Sequence, residues 1–174
     1  DPPLTLILDE AANICRIDDL PSLYSHLGSR GVSAITILQS YRQGVVVWGE
    51  PGMDALWSAS TVKVLGSGLD DADFVEKISR LVGDHKIPEY TRSYGATGRS
   101  TSVTPRLERT LQAADIRALP KGLALLLVTG VRPALIRLRP WYTEPGADEI
   151  SQGIQKQYKA ITARAIAADE ESKR

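Results

Sequence analysis

The stretch Leu4-Thr5-Leu6-Ile7-Leu8-Asp9-Glu10 joins a short apolar run to two adjacent carboxylates. A run of this length between Pro3 and Asp9 is typical of a strand buried on both faces in a parallel sheet. Two carboxylates at the end of such a strand are costly unless cations or hydrogen-bond donors meet them. The stretch therefore predicts an α/β fold whose ligand lies at the carboxyl end of this strand, or else a solvated strand end that caps a helix.

The residues that follow predict a helix and a second parallel strand. An apolar helical stripe marks residues 20–27, and residues 32–38 are rich in β-branched side chains. A strand, a helix and a strand in this order require a right-handed crossover between parallel strands. Residues 4–38 therefore predict one βαβ unit.

The rest of the chain predicts a mixture of helices and strands. Residues 40–48 and 51–58 favour two short helices, residues 61–65 a third buried strand, and residues 71–82 a helix. The polar residues 88–105 are typical of a long loop or an exposed hairpin. A short helix follows at 111–119, then a hairpin of strands 123–128 and 134–138, and after Pro145 a helix with a charged tail.

Composition excludes several classes of protein. The 174 residues hold 21 Lys plus Arg and 21 Asp plus Glu, so the formal net charge is zero. A domain that binds DNA over a broad face carries excess positive charge, so any DNA contact here is local or made by other parts of the protein. The single cysteine, Cys15, excludes an intrachain disulfide, and no apolar run approaches the ~20 residues that span a bilayer. Since Asp1-Pro2-Pro3 leads straight into a strand, we expect the chain to begin inside a longer protein.

A polar residue also ends the second predicted strand. Gln39 and Ser40 follow it directly, and neighbouring parallel strands present their carboxyl ends to one crevice. We therefore expect Gln39 beside Asp9 and Glu10. An ATP site would use Asp9 to hold Mg²⁺ through water, Glu10 to deprotonate the attacking water, and Gln39 to contact the γ-phosphate. Each residue taken singly is also compatible with an ordinary polar strand end, which is the commoner case.

At these residues the sequence resembles a known family. Leu6 to Ile14 looks like the Walker B strand of conjugative coupling proteins, the TraG/TraD-like ATPases of type IV secretion. Leu23 to Val32 and Ile37 to Ser40 resemble the helix and the sensor strand that follow it in that family. The resemblance covers residues 4–142, and its strongest part is residues 23–40.

The resemblance implies part of a RecA-like P-loop ATPase, a homo-hexamer at the cytoplasmic face of the bacterial inner membrane. Such a ring would drive single-stranded DNA with its relaxase toward the secretion-channel proteins, and a segment N-terminal to this chain would anchor it in the membrane. Asp9 matches the magnesium-site aspartate, Glu10 the catalytic glutamate and Gln39 the γ-phosphate sensor. The family's arginine that reaches the neighbouring subunit's ATP falls on Gly28, so Arg30 either acts from a shifted position or is a surface residue.

This sequence departs from the family in one respect. It contains no Gly-x-x-x-x-Gly-Lys-Ser/Thr, and residues 95–101 lack the lysine and the spacing of a phosphate-binding loop. We therefore interpret residues 1–142 as the C-terminal portion of the ATPase domain, without its Walker A half, and residues 143–174 as a C-terminal helix and charged tail. The chain by itself is predicted to bind ATP and Mg²⁺ weakly or not at all.

Two other functions share the sequence evidence. One is a non-enzymatic adaptor that docks secretion substrates or the relaxosome, and the other is a chromosome-type translocase of double-stranded DNA with the same fold. The polar segment, with Arg92, Arg99 and Arg106, is either a contact with a neighbouring subunit or DNA, or a solvated hairpin.

Overall fold

The first strand, β1 (Leu4–Leu8), pairs in parallel with β2 (Val32–Thr36). The crossover between them is α1 (Leu20–Leu27), followed by the 3-10 turn Gly28–Arg30. The structure is a computed structural model that describes residues 4–95 and 98–172, in two compact units, residues 1–136 and 137–174. The predicted βαβ unit is confirmed.

The burial predicted for these two strands is wrong. Leu8 is only 5% exposed and packs with Leu20, but Ile7 is 62% exposed and Ile35 is 49% exposed. The reason is that β1 and β2 form a two-stranded sheet, and apolar side chains from residues 8–56 gather on one of its faces. An apolar run indicates that both faces of a strand can be buried. It does not indicate that residues of the same chain bury them.

The helix after β2 is kinked in the middle. It is α2 (Tyr41–Ala59), and Gly49 interrupts it with a φ of 69°, a left-handed conformation that favours glycine. Ser40 caps its start by accepting a hydrogen bond from the Gln43 backbone N–H at 3.2 Å. The two helices predicted at 40–48 and 51–58 are thus confirmed as the two halves of α2.

The third strand lies in a different sheet from the first two. This strand, β3 (Val62–Gly66), leads through a loop into α3 (Ala72–Val82), whose first residue follows the cap Asp71. The face of α3 that holds Phe74, Val75 and Ile78 is buried. The prediction of a helix at 71–82 is confirmed.

The polar segment forms a long antiparallel hairpin. Its strands are β4 (Asp84–Gly95) and β5 (Gly98–Arg109), in a register that runs from Asp84 opposite Arg109 to Gly95 opposite Gly98. Of the two forms predicted for this segment, the structure therefore has the hairpin. Arg92 and Arg106 occupy opposite faces in this register, and the side chain of Arg99 lies outside the described residues.

The chain then returns to complete the second sheet. The short helix α4 (Ala113–Arg117) precedes β6 (Leu123–Val128) and β7 (Ala134–Arg137), and the strand order is β3-β6-β7. β3 pairs with β6 in antiparallel register, with Val64 opposite Leu126. Buried side chains of the sheet and of both helices form one core: Leu65, Phe74, Val75, Ile78, Ile116 and Leu125.

The second unit consists of a 3-10 turn and one long helix. The turn is Trp141–Thr143, and the helix is α5 (Ala147–Ser172). Its predicted apolar stripe is exposed, with Ile154 57% and Tyr158 73% accessible. Within the described ranges, no helix combines the length and apolarity needed to cross a membrane.

Candidate functional site

The carboxyl ends of β1 and β2 bring Glu10 and Gln39 together. The Gln39 Nε2 atom donates a hydrogen bond to the Glu10 Oε1 atom at 3.2 Å. Backbone hydrogen bonds hold this edge in place, since Ile37 N–H donates to the Leu8 carbonyl at 2.9 Å and Ala11 N–H donates to the Ile37 carbonyl at 3.1 Å. The expected adjacency of Gln39 and Glu10 is therefore present, while no contact between Gln39 and Asp9 is among those described.

Glu10 occupies an unusual backbone conformation. Its φ is 47°, and it is the only residue other than glycine with a positive φ among the described residues. This left-handed conformation costs a residue with a side chain roughly 1–2 kcal/mol. The cost is offset locally because the Glu10 carbonyl accepts hydrogen bonds from Asn13 N–H at 2.8 Å and from Ile14 N–H at 2.9 Å. The strand therefore ends in a tight turn at Glu10.

Two neutral amides meet the two oxygens of the Glu10 carboxylate. Gln39 occupies Oε1, and the Asn13 Nδ2 atom lies 3.5 Å from Oε2, at the long limit of a hydrogen bond. Amides orient a carboxylate without neutralising its charge. Asn13 lies within the stretch Leu6 to Ile14 that resembles a Walker B strand, but no role was predicted for its side chain.

Asp9 provides a carboxylate suited to a hydrated cation. Its side chain is exposed, and its Oδ1 atom accepts a hydrogen bond from the Glu10 N–H at 3.0 Å. Mg²⁺ in phosphate sites is typically held by one or two carboxylates, with water and phosphate oxygens as its other ligands. Asp9 fits that mode of binding. Within residues 4–95 and 98–172, no group of three or more His, Cys, Asp or Glu side chains could hold a metal by itself.

The backbone of Gln39 is hydrogen-bonded to a side chain of α2. Its backbone N–H donates to the Gln43 Oε1 atom at 3.3 Å, while the Gln43 N–H donates to Ser40 Oγ at 3.2 Å. These exchanged hydrogen bonds resemble a capping box, whose Ser-x-x-Gln signature is present in the sequence at residues 40–43. Applying that signature would have identified Gln43 as a neighbour of the site.

The structure does not bring Arg30 to this edge. Arg30 is exposed and ends the 3-10 turn two residues before Val32, the first residue of β2. Asp9 and Gln39 lie beyond the opposite end of the β1–β2 pair. Five strand residues at about 3.3 Å each put roughly 15 Å between the two ends. Arg30 therefore lies far from Glu10 of the same chain.

The segment after Gln39 contacts α3 and its cap through an ion pair and a pair of stacked rings. The Arg42 Nε atom lies 2.7 Å from Asp71 Oδ2, and the rings of Tyr41 and Phe74 stack with centroids 4.7 Å apart. The Arg42 guanidinium, and then the Phe74 N–H, lower the pKa of Asp71 below its ordinary 3.8. An open groove of about 440 Å³ runs beside Gln39 between these residues. Gln39 is thus connected to the core around Phe74 through the next residues of α2, Tyr41 and Arg42.

Tyr41 also belongs to a polar cluster beneath this groove. Its hydroxyl donates a hydrogen bond to Asp54 Oδ1, which also accepts from Lys77 Nζ at 2.9 Å. Burial, and then the hydrogen bond with Asp54, raise the pKa of Tyr41. The same hydrogen bond, together with Lys77, lowers the pKa of Asp54. Asp54 is therefore paired with both of the other members of the cluster.

Comparison with known proteins identifies one family. Residues 3–121 match the family described as the TraM recognition site of TraD and TraG, which is more than half of the chain. No curated protein sequence matches significantly.

Solved structures of a conjugative coupling protein share the fold. The unbound TrwBdeltaN70 aligns with a TM-score of 0.61 and 26% identity, over 79% of this chain and 32% of that one. Plasmid coupling protein TrwB in complex with ADP and Mg²⁺ aligns at 0.59 and 24%, over 79% and 30%, and its complex with the ATP analogue ADPNP at 0.59 and 24%, over 79% and 31%. This chain therefore spans about a third of those chains, and the predicted α/β fold of the RecA-like kind is confirmed.

Proposed function

The chain belongs to the TraD and TraG family, and from this membership we propose that it is the C-terminal part of an ATP-driven coupling protein of bacterial conjugation. The observation that carries the proposal is the hydrogen bond between Gln39 and Glu10 at one edge of a parallel strand pair. Ligands of open α/β sheets bind at this edge. TrwB, whose fold this chain shares, has been solved with ADP and Mg²⁺.

The chemistry proposed for the edge is hydrolysis of the γ-phosphate of ATP. Glu10 accepts a hydrogen bond from the attacking water and takes its proton, because its carboxylate is oriented by amides that leave its charge intact. Gln39 turns its amide from Glu10 to a γ-phosphate oxygen or to the water. Asp9 would hold Mg²⁺ through water, and the bound ion would neutralise charge on the phosphates.

Arg30 is proposed to act in a neighbouring subunit. It lies at the opposite end of the β1–β2 pair from Glu10, so it does not serve the site of its own chain. An arginine that contacts the triphosphate across a subunit boundary stabilises the charge of the transition state. This role requires the homo-hexamer implied by the family resemblance.

The transported cargo is proposed to be single-stranded DNA with its relaxase, moved toward secretion-channel proteins at the inner membrane. The zero net charge argues against a broad DNA-binding face on this chain. Contact with DNA is therefore confined to a local element, and the exposed β4–β5 hairpin is the best candidate.

The test compares ATP turnover of the full-length protein with and without Glu10→Gln. Wild type is expected to hydrolyse ATP faster when single-stranded DNA is added, and Glu10→Gln is expected to bind ATP with little turnover because its side chain cannot accept the proton. This chain alone is expected to bind ATP weakly or not at all, since the phosphate-binding loop is absent from its sequence. DNA-stimulated turnover that survives Glu10→Gln would overturn the assignment of Glu10.

A second function is favoured by the description of the family. The matched residues 3–121 carry the name of a TraM recognition site, so we also propose that this region docks a TraM-type protein of the relaxosome. The chain alone is sufficient for this test. Titration of the labelled chain with the TraM protein of its own conjugation system should saturate, and a chain that binds TraM but never supports ATPase activity in the full-length protein would be an adaptor.

A further inference from the structure

We propose that Asn13 is a positioning residue that holds the Glu10 carboxylate in its working orientation, an inference that rests on the proposed ATPase function. The Asn13 Nδ2 atom lies 3.5 Å from Glu10 Oε2, while Gln39 donates to Oε1. Each carboxylate oxygen thus has one amide donor. Only one of these donors was expected from the strand ends.

The backbone explains why Asn13 is in reach. The left-handed φ of 47° at Glu10 starts a turn in which Asn13 N–H donates to the Glu10 carbonyl at 2.8 Å. Buried Ala11 and Ala12 anchor the turn between these two residues. The Asn13 side chain itself is exposed, so it contributes little to the core. Its amide is therefore free to serve the carboxylate.

The chemical type of the donor suits a general base. An ionised carboxylate has about four lone-pair sites, so two amides leave room for a water molecule. A lysine or arginine at residue 13 would pair with Glu10 and weaken it as a base. An amide orients the group and leaves its charge in place.

Asn13 and Gln39 therefore have different roles toward the Glu10 carboxylate. Gln39 lies in the segment that follows β2 and leaves Glu10 when it engages a phosphate oxygen or the water. Asn13 belongs to the same turn as Glu10 and moves with it, so it remains as the donor that keeps the carboxylate aimed. Correct aim matters because a small misplacement of a reacting group costs on the order of a hundredfold in rate.

The first experiment observes the contact directly and does not need ATP. In this chain labelled with ¹⁵N, Glu10→Ala should shift the side-chain amide signals of both Asn13 and Gln39. Asp18→Ala, which removes an exposed carboxylate further along the chain, should leave them in place. If Glu10→Ala moves the Gln39 signal and leaves the Asn13 signal unchanged, the proposal is wrong.

The second experiment measures the full-length protein. Asn13→Asp keeps the shape and suits a turn equally well, but it cannot donate; kcat should fall about tenfold or more while the KM for ATP stays within about threefold. Asn13→Gln keeps an amide donor and should restore most of kcat. Ile14→Asp adds the same charge at the next residue, which is 75% exposed, and should retain wild-type kcat.

The outcomes separate this inference from the proposed function. A wild-type protein without ATPase activity would defeat the proposed function, and the amide signals would still decide whether Asn13 holds Glu10. An active wild type in which Asn13→Asp matches Ile14→Asp would leave the ATPase assignment intact and refute the role of Asn13.

Discussion

Gln39 Nε2 donates to Glu10 Oε1 at 3.2 Å, across 29 residues of sequence. The contact exists because β1 and β2 run in parallel with Leu8 opposite Thr36, so the residues after each strand emerge at the same edge. The two residues are both polar and both accessible to solvent at a strand end. Their meeting is the geometric basis of the proposed site.

Replacing Gln39 tests whether its amide serves the reaction. In the full-length protein, Gln39→Leu should lower kcat on the order of a hundredfold, because a donor to the developing charge is lost, while the KM for ATP changes little. Gln39→Glu should be at least as damaging, because it places a second carboxylate against Glu10. A wild-type kcat in Gln39→Leu would show that Gln39 is only a polar strand end.

Gln43 is predicted to set the position of Gln39. Its Oε1 atom accepts the Gln39 backbone N–H at 3.3 Å, and Gln43→Leu removes that acceptor. One such hydrogen bond contributes about 0.5–1.5 kcal/mol, so kcat should fall about threefold to tenfold. Gln43→Glu keeps an acceptor oxygen and adds a favourable charge at the start of α2, so it should retain wild-type kcat. Equal loss in both variants would contradict the prediction.

Phe74 is predicted to stabilise the core that it forms with Leu65, Ile78 and the other buried residues of that cluster. It is 6% exposed, stacks on Tyr41 and meets the Trp57 ring edge-on at 5.3 Å. Phe74→Ala should lower the free energy of unfolding by about 3–5 kcal/mol, measured by urea titration with tryptophan fluorescence. Tyr142→Ala, at a residue 67% exposed, should change it by no more than about 0.5 kcal/mol. Comparable losses would show that the aromatic contacts do not stabilise this core.

The ion pair of Asp71 and Arg42 is predicted to weaken in acid. Because the folded state lowers the pKa of Asp71 below 3.8, the unfolded chain takes up this proton at a higher pH than the folded chain does. The stabilisation is therefore complete above the unfolded pKa and is lost as pH falls through the folded pKa.

Asp71→Asn isolates this effect, because asparagine can still cap α3 by accepting the Phe74 N–H. The difference in unfolding free energy between wild type and the variant should be largest at neutral pH and should shrink between about pH 5 and pH 2. Urea titrations at several pH values measure it. A difference that is constant with pH would exclude the charged pair as its source.

Several features of the fold were readable from local sequence patterns. The helical stripe around Phe74 and Ile78 predicted α3 within one residue, and Ser40 predicted the start of α2. These features depend on contacts between residues a few positions apart. The strand predicted at residues 61–65 is present as β3, one residue later, but its antiparallel pairing with β6 was not predicted, because its partner lies some sixty residues later.

The candidate site was partly predictable for the same reason. The two predicted parallel strands placed Asp9, Glu10 and Gln39 at one edge of the sheet. The contact of Asn13 with Glu10 was not predicted, because it depends on a left-handed φ at Glu10. Such a φ is disfavoured for glutamate, and no propensity predicts it. The exposure of Ile7 and Ile35 was also unpredictable. Hydrophobicity shows that a side chain is suited to burial, but it does not show which residues bury it.

The sequence by itself determined which chemical groups stand at the two strand ends, since periodicity and the order of elements are local properties of the chain. Only the tertiary structure decided how those groups meet. It joined Gln39 to Glu10, added Asn13 to the second oxygen, and left Arg30 at the far end of the strands. The physical reason is that hydrogen bonds are short and directional, so the register of the two strands and a single backbone dihedral angle decide which polar groups come within 3.5 Å of each other.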